Sequence, residues 1–144
     1  MKKFKYPLEA VLRLRREQEE ERKRRLAEAQ RKVAEQKTEL ERLFHQESVE
    51  TEAQRRLRQA GVIDLAQVRA RLLFVRSVTG KIKDGFNVLQ DRVNDEGARR
   101  LELVKAAQAR RALERLRERR LEEWRYAAGR EEQKTLDEIG NRRA

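Results

Sequence analysis

Cysteine is missing altogether from the 144 residues, which excludes disulfides, zinc knuckles and thiol nucleophiles. No stretch approaches the ~18 consecutive apolar residues of a membrane span. The opening Met-Lys-Lys-Phe-Lys-Tyr-Pro has a basic flank but no apolar run behind it. It does not read as a signal peptide, and the chain is expected in the cytoplasm. Proline occurs once, and aromatic residues make up only 5% of the chain. A globular core needs more large apolar side chains than that. Histidine also occurs once, as His45; metal sites need clustered ligands, so it reads as a solvated surface residue. Thr79-Gly80-Lys81 has the ending of a phosphate loop, but Val75 stands where that motif requires its first glycine. Carboxylates are plentiful, yet acid–base catalysis needs a pocket that perturbs them. No catalytic residue and no cofactor is expected.

What is abundant is charge. Asp, Glu, Lys and Arg make up 44% of the residues, and the formal net charge is +11. A disordered chain is the first reading of such numbers. The apolar residues, however, are spaced rather than scarce, and dense Ala, Glu, Lys, Leu and Arg at helical spacing points to long helices or a coiled coil. A positive balance raises nucleic acid, acidic membrane or an acidic protein as partner. In "ERKRRLAEAQRK" the bases are interleaved with acids, unlike a DNA-reading basic block, so specific nucleic-acid binding is not expected.

Pro7 suits the first turn of a helix. Beyond it Leu12, Leu26, Val33 and Leu40 fall on one column of a heptad pattern, and Leu8, Ala29 and Leu43 on a second. Arg15, Glu19, Arg22 and Gln36 interrupt these columns. In "RQAGVIDLAQ", Gly61 is placed to end one helix in a left-handed conformation, and Asp64 to cap the next with Gln67 three residues on. The pattern predicts helix one over about 8–59, a turn at 60–64 and helix two over about 65–139, in a single domain, 1–144. At ~1.5 Å per residue the helices would be roughly 78 and 110 Å long.

A short turn makes the helices antiparallel, pairing positions whose numbers add up to about 124. The fold class expected is therefore all-α, a long antiparallel two-helix coiled-coil hairpin whose second helix is longer. In that register Arg15–Arg22 lies opposite 102–109, where arginine stems can cross Ala106, Ala107 and Ala109. Residues after about Trp124 lack a partner on helix one, yet Trp124, Ala128, Leu136 and Ile139 are apolar, so something else should cover them. Near the turn, Phe74, Val78 and Ile82 share a face at i, i+4, i+8. They are either seam residues opposite Phe44 and Val49 or an exposed docking face. Gly80, Gly85 and Gly97 interrupt helix two at about 1 kcal/mol each relative to alanine, as at a bend or a frayed segment.

Both ends of the sequence resemble one family. "FKYPLEAVLRLRREQEE" is similar to the N-terminus of the flagellar export proteins called FliJ, with an aromatic, then Leu-Glu, Val-Leu, and Arg followed by Glu. "REEQKTLDEI" resembles the closing motif of that family. The resemblance implies a non-catalytic antiparallel coiled coil similar to the central stalk of rotary ATPases. Its termini would enter a hexameric flagellar export ATPase ring. It would also bind the cytoplasmic linker of the export gate, and it could escort empty export chaperones. The ring-binding residues so implied are Leu8, Leu12, Trp124, Glu132, Lys134, Leu136, Asp137 and Glu138. The gate-binding face maps onto Phe74 and Val78, with Ile82 following where Lys81 and Gly85 depart from an apolar pattern. Location would be cytoplasmic, peripheral at the inner face of the cell membrane through the export apparatus. The alternatives are the equivalent stalk of an injectisome, or a basic coiled coil that binds nucleic acid or acidic membrane.

Overall fold

The computed structural model describes residues 2–61 and 64–143; of the expected turn, Val62 and Ile63 lie outside the described residues. Two helices follow in order, α1 (Glu9–Gln59) of 51 residues and α2 (Leu65–Arg143) of 79 residues. No strand is present among the described residues.

Local chemistry explains the ends. Pro7 precedes α1, and the Tyr6 carbonyl accepts the Glu9 N–H at 3.1 Å. At the other end Gly61 has φ +73°, a conformation that side chains disfavour, and its N–H donates to the Arg58 carbonyl at 3.3 Å. Asp64 then opens α2. Its Oδ1 accepts the Ala66 N–H at 3.0 Å, and its carbonyl accepts the Val68 N–H at 3.0 Å.

The helices run antiparallel, because their contacts fall in opposite order along α1 and α2. Glu9 meets Arg117, Glu19 meets Arg110, Arg22 meets Glu102, Lys32 meets Arg92, Gln36 meets Gly85 and Glu50 meets Arg71. The fold is an all-α antiparallel helical hairpin whose second helix is the longer. Its contacts group into two compact units. The turn unit comprises Arg24 to Leu101, and the terminal unit comprises the residues up to Lys23 with those from Glu102 on.

The turn unit has an apolar core. Leu40, Leu43, Val78 and Ile82 are buried together, with Leu89 packed against them. Phe44 and Phe86 flank this core edge to face, their ring centres 6.0 Å apart. One polar side chain sits in the same seam: buried Gln36 donates from Nε2 to the Gly85 carbonyl at 3.0 Å. The glycine is what admits it. A Cβ at residue 85 would lie 2.7 Å from Leu40 Cδ2 and 3.3 Å from Gln36 Nε2. Gly85 therefore marks a close approach of the helices rather than a bend, and α2 is continuous through it.

In the terminal unit the seam is mostly ionic. Leu12 is completely buried, and Tyr6 is nearly so, its hydroxyl donating to the Leu113 carbonyl at 3.1 Å. Between them and Lys23, contacts across the seam are charged: Arg16 lies 3.3 Å from Glu114, and Arg22 lies 3.3 Å from Glu102. Ala106, Ala107 and Ala109 are half-buried beside these pairs.

Outside the seams, ion pairs follow helical spacing, as between Arg42 and Glu39 at 2.5 Å. The hydrogen bond from Arg42 is the main cause holding the Glu39 carboxyl below its ordinary range. Any stabilisation from that shift is complete above the ordinary carboxylate value and is lost as pH falls through the depressed one. Both groups are solvated, so the pair contributes little.

The glycines give a first prediction. Gly97 has open space where a Cβ would stand, so Gly97→Ala should stabilise the protein by roughly 0.5–1 kcal/mol. Gly85→Ala should instead be a net loss, because overpacking of about 1–3 kcal/mol outweighs the propensity gain. Urea unfolding of the two variants should move in opposite directions; a matching gain at both positions would show that the helices do not meet closely at Gly85.

Candidate functional site

Two surfaces are candidates, one in each unit. In the terminal unit, residues 129–143 of α2 are exposed at every position. Leu136 keeps 63% and Ile139 48% of its surface in water. Glu132, Lys134, Asp137 and Glu138 are exposed around them. Gln133 Nε2 donates to Asp137 Oδ1 at 3.2 Å, one turn apart on the helix. A shallow groove here is lined by Lys2, Trp124, Ala128, Glu132 and Leu136. Trp124 is partly covered from within the chain. The Phe4 ring lies against it with centroids 6.1 Å apart, and the Arg117 guanidinium stands 5.7 Å from the Phe4 ring centre. The expectation that Trp124 waits for an outside partner therefore needs correcting: the segment before α1 supplies Phe4. Leu8 is exposed at the rim of this region, whereas Leu12 is fully buried beneath it. Leu12 supports the surface and does not form it.

In the turn unit, the three residues expected to share a docking face are separated. Phe74 is 45% exposed, but Val78 and Ile82 are buried in the core at 2% and 8%. The reason is helical drift: eight residues at 3.6 per turn leave Phe74 and Ile82 about 80° apart around α2. Of the three, Phe74 alone is exposed, and Val78 and Ile82 hold the helices together.

Sequence reasoning missed the centre of the terminal unit, Glu19 with Arg110. Glu19 is only 6% exposed, and both its carboxylate oxygens face the Arg110 guanidinium. The same guanidinium donates from Nη1 to Glu114 at 2.7 Å, and Lys23 approaches Glu19 at 4.0 Å. The hydrogen bond to Glu19 is the chief cause holding Arg110 further above its already high range. A guanidinium shared between two carboxylates in this way is a strut across the seam. The one available sequence signal was an acid in a heptad column.

His45 is exposed on α1. Among the described residues no group of three His, Cys, Asp or Glu is placed to hold a metal ion. Thr79-Gly80-Lys81 lies inside α2, where backbone N–H groups bond within the helix and cannot cradle a phosphate. No helix among the described residues is long and apolar enough to cross a membrane.

Geometry of this kind defines an all-α antiparallel helical hairpin. The chain matches the family of the flagellar FliJ protein over residues 4–144 and belongs to that family. It is accordingly a flagellar export-related protein. No curated protein and no solved structure gives a significant match.

The buried pair gives a second prediction. Arg110→Met leaves the Glu19 carboxylate buried without its main partner, which destabilises more than the pair itself contributes. Its melting temperature should fall clearly below that of Arg111→Met at the exposed neighbouring position, whereas Glu19→Leu with Arg110→Leu should recover most of the loss. Equal melting of the two single variants would show that the ionic seam does not hold the helices.

Proposed function

We propose that this protein is a non-catalytic central stalk of the flagellar type III export apparatus. Its terminal unit enters the pore of the hexameric export ATPase, and its turn unit contacts the cytoplasmic linker of the export gate through Phe74. On this reading it works in the cytoplasm, peripheral to the membrane through the apparatus, and escorts empty export chaperones as a further task.

One observation carries the reading. The last fifteen residues of α2, 129–143, are helical and wholly exposed, yet they retain Leu136 and Ile139 among alternating charges. A partner that surrounds the helix would cover such residues from several sides. Mixed charges suit the rim of such a contact, steering assembly more than adding affinity. Leu136 and Ile139 are the large apolar residues among the described residues 129–143, too little apolar surface to fix the helix in one orientation within a ring. Family membership supports the export system as the setting.

Deleting residues 128–144 should abolish stimulation of ATPase hexamer assembly while the remaining hairpin melts normally. Full stimulation by a normally melting truncated protein would overturn the ring assignment. At the turn unit, Phe74→Ala should weaken binding of the gate linker without moving the melting curve. Val78→Ala should instead cost roughly 1–3 kcal/mol of stability, as removal of a buried aliphatic group does. Unchanged linker binding by Phe74→Ala, measured by titration calorimetry, would remove the gate contact from this face.

A further inference from the structure

The charge pattern changes near the turn. Along most of the chain acids and bases alternate, but from Ala53 to Lys83 Asp64 is the only acid. Asp64 is already engaged as the cap of α2. The first stretch of α2, Leu65 to Lys83, has no acid at all and five bases. Exposed apolar side chains are concentrated in the same stretch. Leu65, Leu72 and Leu73 keep 80%, 57% and 58% of their surface in water, and Val68 keeps 42%.

The inward face of this stretch is fixed by its contacts. Val78 and Ile82 enter the core, and Arg71 turns to Glu50 at 3.7 Å. Leu65, Arg69, Leu72, Leu73 and Arg76 follow one another at spacings of i+4, i+3 and i+1, so they share a different face. Arg69 and Arg76 are both exposed, and no acid stands three or four residues from either. Their charge is therefore not neutralised along the helix, as that of Arg42 is by Glu39.

We infer that this face of α2 binds directly to an anionic lipid bilayer, lying in the plane of the interface. Leu65, Leu72 and Leu73 enter the boundary between headgroups and acyl chains, and Arg69 and Arg76 meet lipid phosphates. A helix face that carries exposed leucines together with unneutralised arginines can lie in the interface, because the long arginine stems let the guanidiniums reach the phosphates while the leucines enter the boundary. A nucleic acid would use the arginines but leave three exposed leucines without a purpose. The contact uses another face of α2 than Phe74 and stands independently of the export-gate reading.

Co-sedimentation of the full chain with vesicles tests it. Vesicles of phosphatidylcholine with about one third phosphatidylglycerol should bind the protein, and vesicles of phosphatidylcholine alone should not. Arg69→Gln with Arg76→Gln should weaken binding about 10- to 30-fold, whereas Arg111→Gln with Arg119→Gln, exposed in the terminal unit, should leave it nearly unchanged. All these positions are exposed, so circular dichroism should be the same throughout. In a separate variant, Leu73→Trp combined with Trp124→Phe so that residue 73 carries the single tryptophan, fluorescence should shift to the blue on vesicle binding and be quenched by brominated lipids. The inference is overturned if both charge variants weaken binding equally, since net charge alone would then be responsible. It is also overturned if Leu73→Trp stays accessible to aqueous quenchers, or if duplex DNA abolishes vesicle binding through the same arginines at lower concentration than the lipid requires.

Discussion

Two helices without a third layer can each bury a single stripe, and everything else in this protein depends on how that stripe is filled. Each seam position must hold an apolar side chain or a polar one with a partner close by, because an unpaired buried charge is costly. The turn unit takes the first course with Leu40, Leu43, Val78 and Ile82. The terminal unit mostly takes the second, with Glu19 held by Arg110. Leu12 and Tyr6 are the exceptions that anchor it. A chain with 44% charged residues can thus form long helices without being disordered. Part of the charge is inside the seam, and the remainder faces water.

The two fillings have different physical signatures. Apolar burial is non-directional and little affected by salt. The paired charges demand geometry and respond to ionic strength where they reach water, as Arg22 and Glu102 do. Buried polar contacts also tend to set register rather than add stability. Gln36 does this within the apolar seam, since its bond to the Gly85 carbonyl is possible at one alignment of the helices. Leu40 packs over the same glycine, where no side chain could stand without displacing it.

Features with a local cause were legible in the sequence. Gly61 takes the left-handed conformation its place after α1 suggested, and Asp64 caps α2 as its spacing to Gln67 suggested. The heptad columns located Leu12, Ala29, Val33, Leu40 and Leu43, all of which are buried. What was not legible depends on reach and drift. Register placed Lys105 nearest to Glu19, but the longer, forked Arg110 is the residue that bonds it. Phe74 looked equivalent to Val78 and Ile82 because helical repeats are whole numbers on paper and fractional in space. Phe4, in the segment before α1, has no periodicity at all, so nothing in the pattern linked it to Trp124. The candidate surfaces were thus visible as stretches of sequence, whereas their membership required coordinates.

The hydrogen bond from Tyr6 to Leu113 has a consequence for how the protein is made. Phe4 and Tyr6 are added to the growing chain well before Leu113 and Trp124. At roughly 5–20 residues per second, more than a hundred intervening residues leave the two aromatics uncovered for several seconds. The turn unit, by contrast, is one continuous segment and can close as soon as it emerges. Synthesis therefore imposes an order on folding, with the middle of the chain complete before its two ends can meet. During that interval the aromatics Phe4 and Tyr6 are uncovered and open to a chaperone.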